Sequence, residues 1–234
     1  MMKNSKQNET LNHSMHHAYK SNVIKDFFKK IPFIFNLLKS LYIILLHLIS
    51  KNRWKKLIQQ HEIKLNLGSG PTNGTNGWVN VDLFGADINH DLTKGVPLAD
   101  NTVDVVYSSH VFEHIPYQDL LHVIQEIRRI LKPGGKLLVC VPNAGLYLRA
   151  YFKNEMFVNY DEMYIPAAVN TNSKIDQLNY IAYLNGDHTF MFDEENIINI
   201  LKMCDFNNVD FRDFNDEIDS LERDFESMYV QAFK

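Results

Sequence analysis

Residues 62–142 are written as short apolar runs, each stopped by glycine or an acid, and few folds satisfy that rhythm. Ile63–Leu67 alternates and halts at Gly68-Ser69-Gly70-Pro71, and Trp78–Asp82 ends in a carboxylate. Val103–Ser108 and Gly135–Val141 are longer runs of strand-forming residues. Between these two, Leu120, Ile124, Ile127 and Leu131 recur at helical spacing, and Lys132-Pro133-Gly134-Gly135 closes the pattern. Strands alternating with a helix predict an α/β fold built on a doubly wound, mostly parallel sheet. Ligands of such sheets bind beyond the carboxyl ends of the strands.

The residues that follow each strand are therefore the candidates: Gly68–Gly70, Asp82, Asp91 and Ser108–His114. Glycine lets backbone approach a ligand where a side chain would block it. A carboxylate at the next strand end can accept both ribose hydroxyl protons. Together they describe a nucleoside site. The turn lacks the third glycine of a G-x-G-x-x-G fingerprint, and Asp82 comes too early for that motif. No G-x-x-x-x-G-K-[ST] loop exists, so an ATP-type phosphate cradle is unsupported.

The segments Leu65-Asn66-Leu67-Gly68-Ser69-Gly70, Asn80-Val81-Asp82, Asp91-Leu92, Pro97–Asn101, Asp104–His114 and Leu131–Gly135 occur in that order. In that order they resemble a class I S-adenosylmethionine-dependent methyltransferase. They are most similar to the small type 11 group, many members of which serve surface-polysaccharide biosynthesis. The resemblance implies a Rossmann-like sheet whose last strand enters antiparallel, with S-adenosylmethionine as cofactor. It places the cofactor on Asn66, Gly68, Ser69, Gly70, Asp82, Leu83, Asp91, Leu92, Ser109 and His110. Within that set Asp82 would hold the ribose, Asp91 and Leu92 the adenine, and Ser109–His110 the sulfonium side. Asn66 stands where the family usually has an acid. The stretch from Gly70 to Trp78 is too short for the usual crossover helix, so an irregular loop is expected there.

Methyl transfer from a sulfonium is an in-line displacement, and a base is needed only when the acceptor is a weak nucleophile such as a hydroxyl. Candidate catalytic residues are His110, His114 and His188, with Glu113 beside them. Residues 143–187 form an insertion holding six of the 11 tyrosines (Tyr147, Tyr151, Tyr160, Tyr164, Tyr180, Tyr183). Such residues stack on a sugar or make the small core of a lid. A helix over Glu194–Met203 and strands near Val209–Phe211 and Met228–Phe233 complete the reading.

Charge divides the chain. Residues 1–60 carry 11 Lys/Arg against Glu9 and Asp26, while 61–234 carry the other 13 against 26 acids. The two parts are thus +9 and -13 within a net -4, and we read them as a basic arm, 1–60, and a methyltransferase domain, 61–234. Within the arm, 31–50 is an amphipathic apolar helix with lysines on both sides. It fits a membrane-surface anchor through residues 31–56, a helix packed on the body or on a second copy in a homodimer, or a membrane span. An acidic body excludes nucleic acid as the expected partner. Cys140 and Cys204 have no CxxC spacing, and His13, His16 and His17 lack partners at ligand spacing, so no metal is expected. No cleavable signal is evident, and a cytoplasmic or peripheral membrane location is expected. The primary expectation is an O-methyltransferase acting on a glycan or its precursor. A quinone or lipid-like acceptor, and a non-catalytic cofactor-binding scaffold, are the alternatives.

Overall fold

The computed structural model describes Leu41 and residues 49–234. The amphipathic stretch 31–50 and the histidines at 13, 16 and 17 therefore fall almost wholly outside the described residues. A compact unit runs from Ser50 to Lys234. Its first helical turns bury Trp54 and Leu57 in the main core, and Arg53 donates to the carbonyls of Ala86 and Asp87. Residues 50–57, read above as arm, are thus packed with the domain.

Seven strands form one sheet: β1 Lys64–Leu67, β2 Trp78–Asp82, β3 Ile88–Asn89, β4 Val103–Ser109, β5 Leu131–Pro142, β6 Asn207–Phe211 and β7 Ser227–Phe233. Their order is β3-β2-β1-β4-β5-β7-β6, with β7 antiparallel to both neighbours and the other pairs parallel. This is the mostly parallel, Rossmann-like sheet expected, with the last strand reversed as expected. The two-residue β3 was not expected, since Ile88-Asn89 is too short to carry a periodic signal.

Helix α1, Tyr117–Ile130, buries Leu120, Val123, Ile124, Ile127 and Ile130. Each buried aliphatic side chain contributes at most about 1.5–3 kcal/mol. The sequence pattern closed this helix with Lys132–Gly135, whereas the chain turns directly into β5 at Leu131. The reason is a bulge: Val103 pairs with Leu131, Val105 with Lys136, and Gly134 takes φ +77° between them. Helix α2, Ala144–Phe152, and α3, Lys174–Tyr183, belong to the insertion. Helix α4, Glu194–Met203, has the predicted bounds and is opened by an Asp193–Asn196 capping box.

Residues 71–77 contain no helix, as the spacing required. Side chains hold the loop instead. Asp87 Oδ2 accepts from the amides of Gly74 (2.7 Å) and Asn80 (3.0 Å), and Asn80 Nδ2 donates to the Thr72 hydroxyl at 2.9 Å. Among the described residues no helix is long and apolar enough to cross a membrane.

Candidate functional site

The parallel register sets Leu67 level with Val81 on one side and Ser108 on the other. Gly68, Asp82 and Ser109 consequently stand in one row at the carboxyl edge of the sheet. That row spans the place where strand order reverses, between β1 and β4, the usual crevice of such sheets. The turn after β1 needs glycine twice. Gly68 and Gly70 take φ +73° and +70°, in the left-handed region. A Cβ on Gly68 would meet Val111 at 2.1 Å, whereas one on Gly70 would meet nothing within 4 Å. Gly68 is packed shut and Gly70 faces open space.

Asp82 closes this turn: its Oδ2 accepts the Gly70 amide at 2.8 Å. No hydrogen bond from the described residues uses Oδ1, which leaves a half-buried carboxylate oxygen beside an open glycine. That donor–acceptor set fits a ribose-bearing cofactor. Ser69 lies in the same turn, and Leu83 follows Asp82 with its side chain 54% exposed. Asp91 caps a short 3₁₀ turn by accepting from the Thr93 amide and hydroxyl, and Leu92 is taken into the main core. Asn66 lies on β1, two residues before Gly68. Its side chain donates to Asn80 Oδ1 at 3.2 Å and lines a pocket of about 230 Å³ beneath the 71–77 loop, with Trp78 and Tyr107.

The three candidate catalytic histidines are brought together around Glu113. The chain leaves β4 sharply, His110 taking φ +53°, and turns through a 3₁₀ stretch at Phe112–His114. Both His110 and Glu113 are buried. His110 Nε2 lies 2.8 Å from the Ser227 hydroxyl, whose own proton goes to the Arg223 carbonyl at 2.6 Å. Ser227 therefore accepts, and His110 Nε2 carries hydrogen. His110 Nδ1 lies 3.4 Å from Glu113 Oε1, long for a hydrogen bond but close for an ion pair. Burial pushes the Glu113 carboxyl up, and the neighbouring imidazole of His110, followed by that of His114, outweighs it and brings it below the usual range.

His114 and His188 stack edge to face with ring centroids 4.9 Å apart. His114 Nδ1 faces the Asp187 carbonyl at 3.0 Å, and His188 Nδ1 faces the Ile181 carbonyl at 2.8 Å. The segment is pinned from below, because the amides of Thr189 and Phe190 both donate to the Glu113 carbonyl. Burial pushes the His188 imidazole down, which favours the neutral ring.

Sequence reasoning missed Ser227. No local motif could reveal it, since it meets His110 only because the reversed β7 starts where β5 ends, with Pro142 opposite Ser227. It also missed Glu226, which accepts from the Tyr147 hydroxyl at 2.7 Å inside the insertion. The tyrosines of the insertion divide. Tyr147 and Tyr180 join a small core with Met163, Ile181 and Leu184, while Tyr151, Tyr164 and Tyr183 are exposed.

The stretch that builds this edge also matches known proteins. Residues 66–139 match the family model described as a methyltransferase domain. The chain is 38% identical over 74 residues to an uncharacterised protein of Methanocaldococcus jannaschii, covering 32% of this chain and 30% of that one. It is 42% identical over 57 residues to a probable S-adenosylmethionine-dependent methyltransferase of Mycolicibacterium smegmatis, covering 24% and 21%. The chain thus spans less than a third of the length of these relatives. A crystal structure of a SAM-dependent methyltransferase from Archaeoglobus fulgidus aligns over 81% of this chain and 94% of its own, at 15% identity and TM-score 0.45. The matched residues run from the end of β1 through most of β5, and with them the glycine turn, Asp82 and the His110–His114 turn.

Proposed function

We propose that the protein is an S-adenosylmethionine-dependent methyltransferase. The observation that carries this reading is the coupled strand ends, an open Gly70 whose amide is held by Asp82 with one carboxylate oxygen left over. The methyltransferase-domain match over the same residues supports it. In this reading Gly68, Ser69 and Gly70 flank the amino-acid end of the cofactor and Asp82 accepts from its ribose. Leu83 and Asp91 border the base, and Ser109 and His110 border the sulfonium side. S-adenosylmethionine supplies a methyl group bound to positively charged sulfur. The chain's own part is to bring an acceptor oxygen into line and take its proton. Of His110, His114 and His188, only His114 reaches solvent, its side chain being 37% exposed, and it is the base we favour.

For the acceptor we propose a glycan or a glycan precursor. Exposed tyrosines on the insertion supply faces on which a sugar ring can stack, and this supports the reading. Tethering through the amphipathic stretch ahead of residue 50 would suit a precursor carried at a membrane surface. Calorimetry with S-adenosylmethionine tests the first step. Binding that Asp82→Ala weakens by tenfold or more is expected, and an intact protein that binds none refutes the enzyme. A 14 Da gain on surface glycans, present only in cells with the protein, tests the acceptor.

A further inference from the structure

We propose that Glu113, His114 and His188 form a binding site for one divalent transition-metal ion of the zinc class. The inference does not depend on the methyltransferase reading.

Three observations converge. A carbonyl oxygen only accepts, so the Nδ1 atoms of His114 and His188 must carry hydrogen toward Asp187 and Ile181. In the neutral form that binding a metal requires, each ring then presents a bare Nε2. His188 Nε2 is buried without a hydrogen-bond partner, in a residue only 7% exposed, and both Glu113 carboxylate oxygens are equally unpartnered at 1% exposure. These acceptors converge: one atom from each residue lies within 4.8 Å of the others, and His114 Nε2 is 3.8 Å from Glu113 Oε1.

Three lone-pair donors facing one another in a buried site repel unless something positive lies between them. Ligands about 2.1 Å from a tetrahedral ion sit roughly 3.4 Å apart, so modest side-chain adjustment closes the set. The supporting shell is already present. Metal-bound histidines characteristically donate their second nitrogen to a carbonyl or carboxylate, as both do here. The carboxylate is in turn faced by His110, which Ser227 holds. Backbone bonds from Thr189 and Phe190 to Glu113 fix the two segments against each other. The partly exposed His114 gives the ion a way in and leaves an open coordination position.

Two imidazoles and one carboxylate suit zinc, cobalt, nickel or iron better than magnesium or calcium. Sequence spacing suggested no metal because His188 lies far along the chain from Glu113-His114. The spelling His110-Val-Phe-Glu113-His114 resembles an H-x-x-E-H zinc motif, but that motif needs a helix and the first histidine here faces Ser227 and Glu113. An ion on these atoms occupies the lone pairs that a base would use, so a loaded protein cannot use His114 to take a proton.

The test uses the full chain, stripped with chelator and titrated with Co²⁺, then with Zn²⁺. One equivalent of Co²⁺ should give visible d–d absorption that Zn²⁺ abolishes. His114→Ala and His188→Ala should each weaken binding by more than the 10–100-fold typical of losing an outer-shell partner. A variant with His13, His16 and His17 changed to Gln should bind as the parent does. Far-ultraviolet circular dichroism checks folding, and the half-exposed His114→Ala carries the test if His188→Ala does not fold. No stoichiometric absorption overturns the site, as does absorption that survives His114→Ala or disappears with the arm histidines. Because the readout is metal binding alone, failure here leaves S-adenosylmethionine binding untouched, and the converse holds.

Discussion

Gly68 and Gly70 share a backbone conformation and differ in what surrounds them, so the same substitution should report on different properties. Gly68→Ala drives a methyl group into Val111 and also strains the left-handed backbone. A loss of about 2–4 kcal/mol is expected, read as a lower denaturation midpoint. Gly70→Ala meets no atom and should cost only about 1–2 kcal/mol of backbone strain. Its larger effect should fall on S-adenosylmethionine affinity in calorimetry, because the open face is lost. Equal stability losses in the two variants would contradict this assignment. Tyr147→Phe offers a third contrast: it strands the buried Glu226 carboxylate without its 2.7 Å donor. Chemical denaturation should register a loss of about 1–3 kcal/mol.

At the scale of elements, Arg129 ties α1 to the loop that leads into β4, beside Glu126, which accepts the Val96 amide. Arg129 on α1 pairs with Glu126 through two nitrogens and also donates to the carbonyls of Val96 and Leu98 and to Asp100. The Arg129 hydrogen bond is the main reason the Glu126 carboxyl is pulled down to about 2 from 4.5. At Glu194 on α4, the Arg149 hydrogen bond does the same, again to about 2. A depressed carboxyl stabilises fully above its unfolded value and ceases to as pH falls through the folded one. The melting temperature should therefore decline between about pH 4.5 and pH 2, and a Glu126→Gln, Glu194→Gln double variant should show a shallower decline in calorimetry across that window. The periodic elements were legible because burial wrote them: α1 and α4 carry their apolar faces in the sequence. The β3 pair and the β5 bulge were not, since neither is long enough to leave a period.

Across the whole molecule, the edge of the sheet was readable wherever a strand ran straight into the turn that follows it. Gly68, Asp82 and Ser109 needed only the rule that parallel strands share a carboxyl edge. The Asn66 contact with Asn80, beside a loop that replaces a helix, could not be read from its place along the chain. Ser227 was hidden for a topological reason, since it opens the one reversed strand, and Glu226 ends the 3₁₀ turn just before it. The loop itself rests on Asp87, and Asp87→Ala should free the amides of Gly74 and Asn80. Faster hydrogen exchange confined to residues 72–80 would be the expected signature.

The insertion begins and ends at nearly the same point. Asn143 bridges to Phe192, the Ala144 amide donates to the Phe192 carbonyl at 2.8 Å, and Asn143 Nδ2 reaches Glu194 at 2.9 Å. Since the Asn143–Phe192 bridge already holds both ends together, lengthening the segment between them costs only about 0.6 kcal/mol of closure entropy per doubling. The same stretch also carries Tyr147, bonded to Glu226, and Thr189 and Phe190, bonded to Glu113, so exchanging it would be felt at the turn after β4 and just before β7 as well as within the insertion.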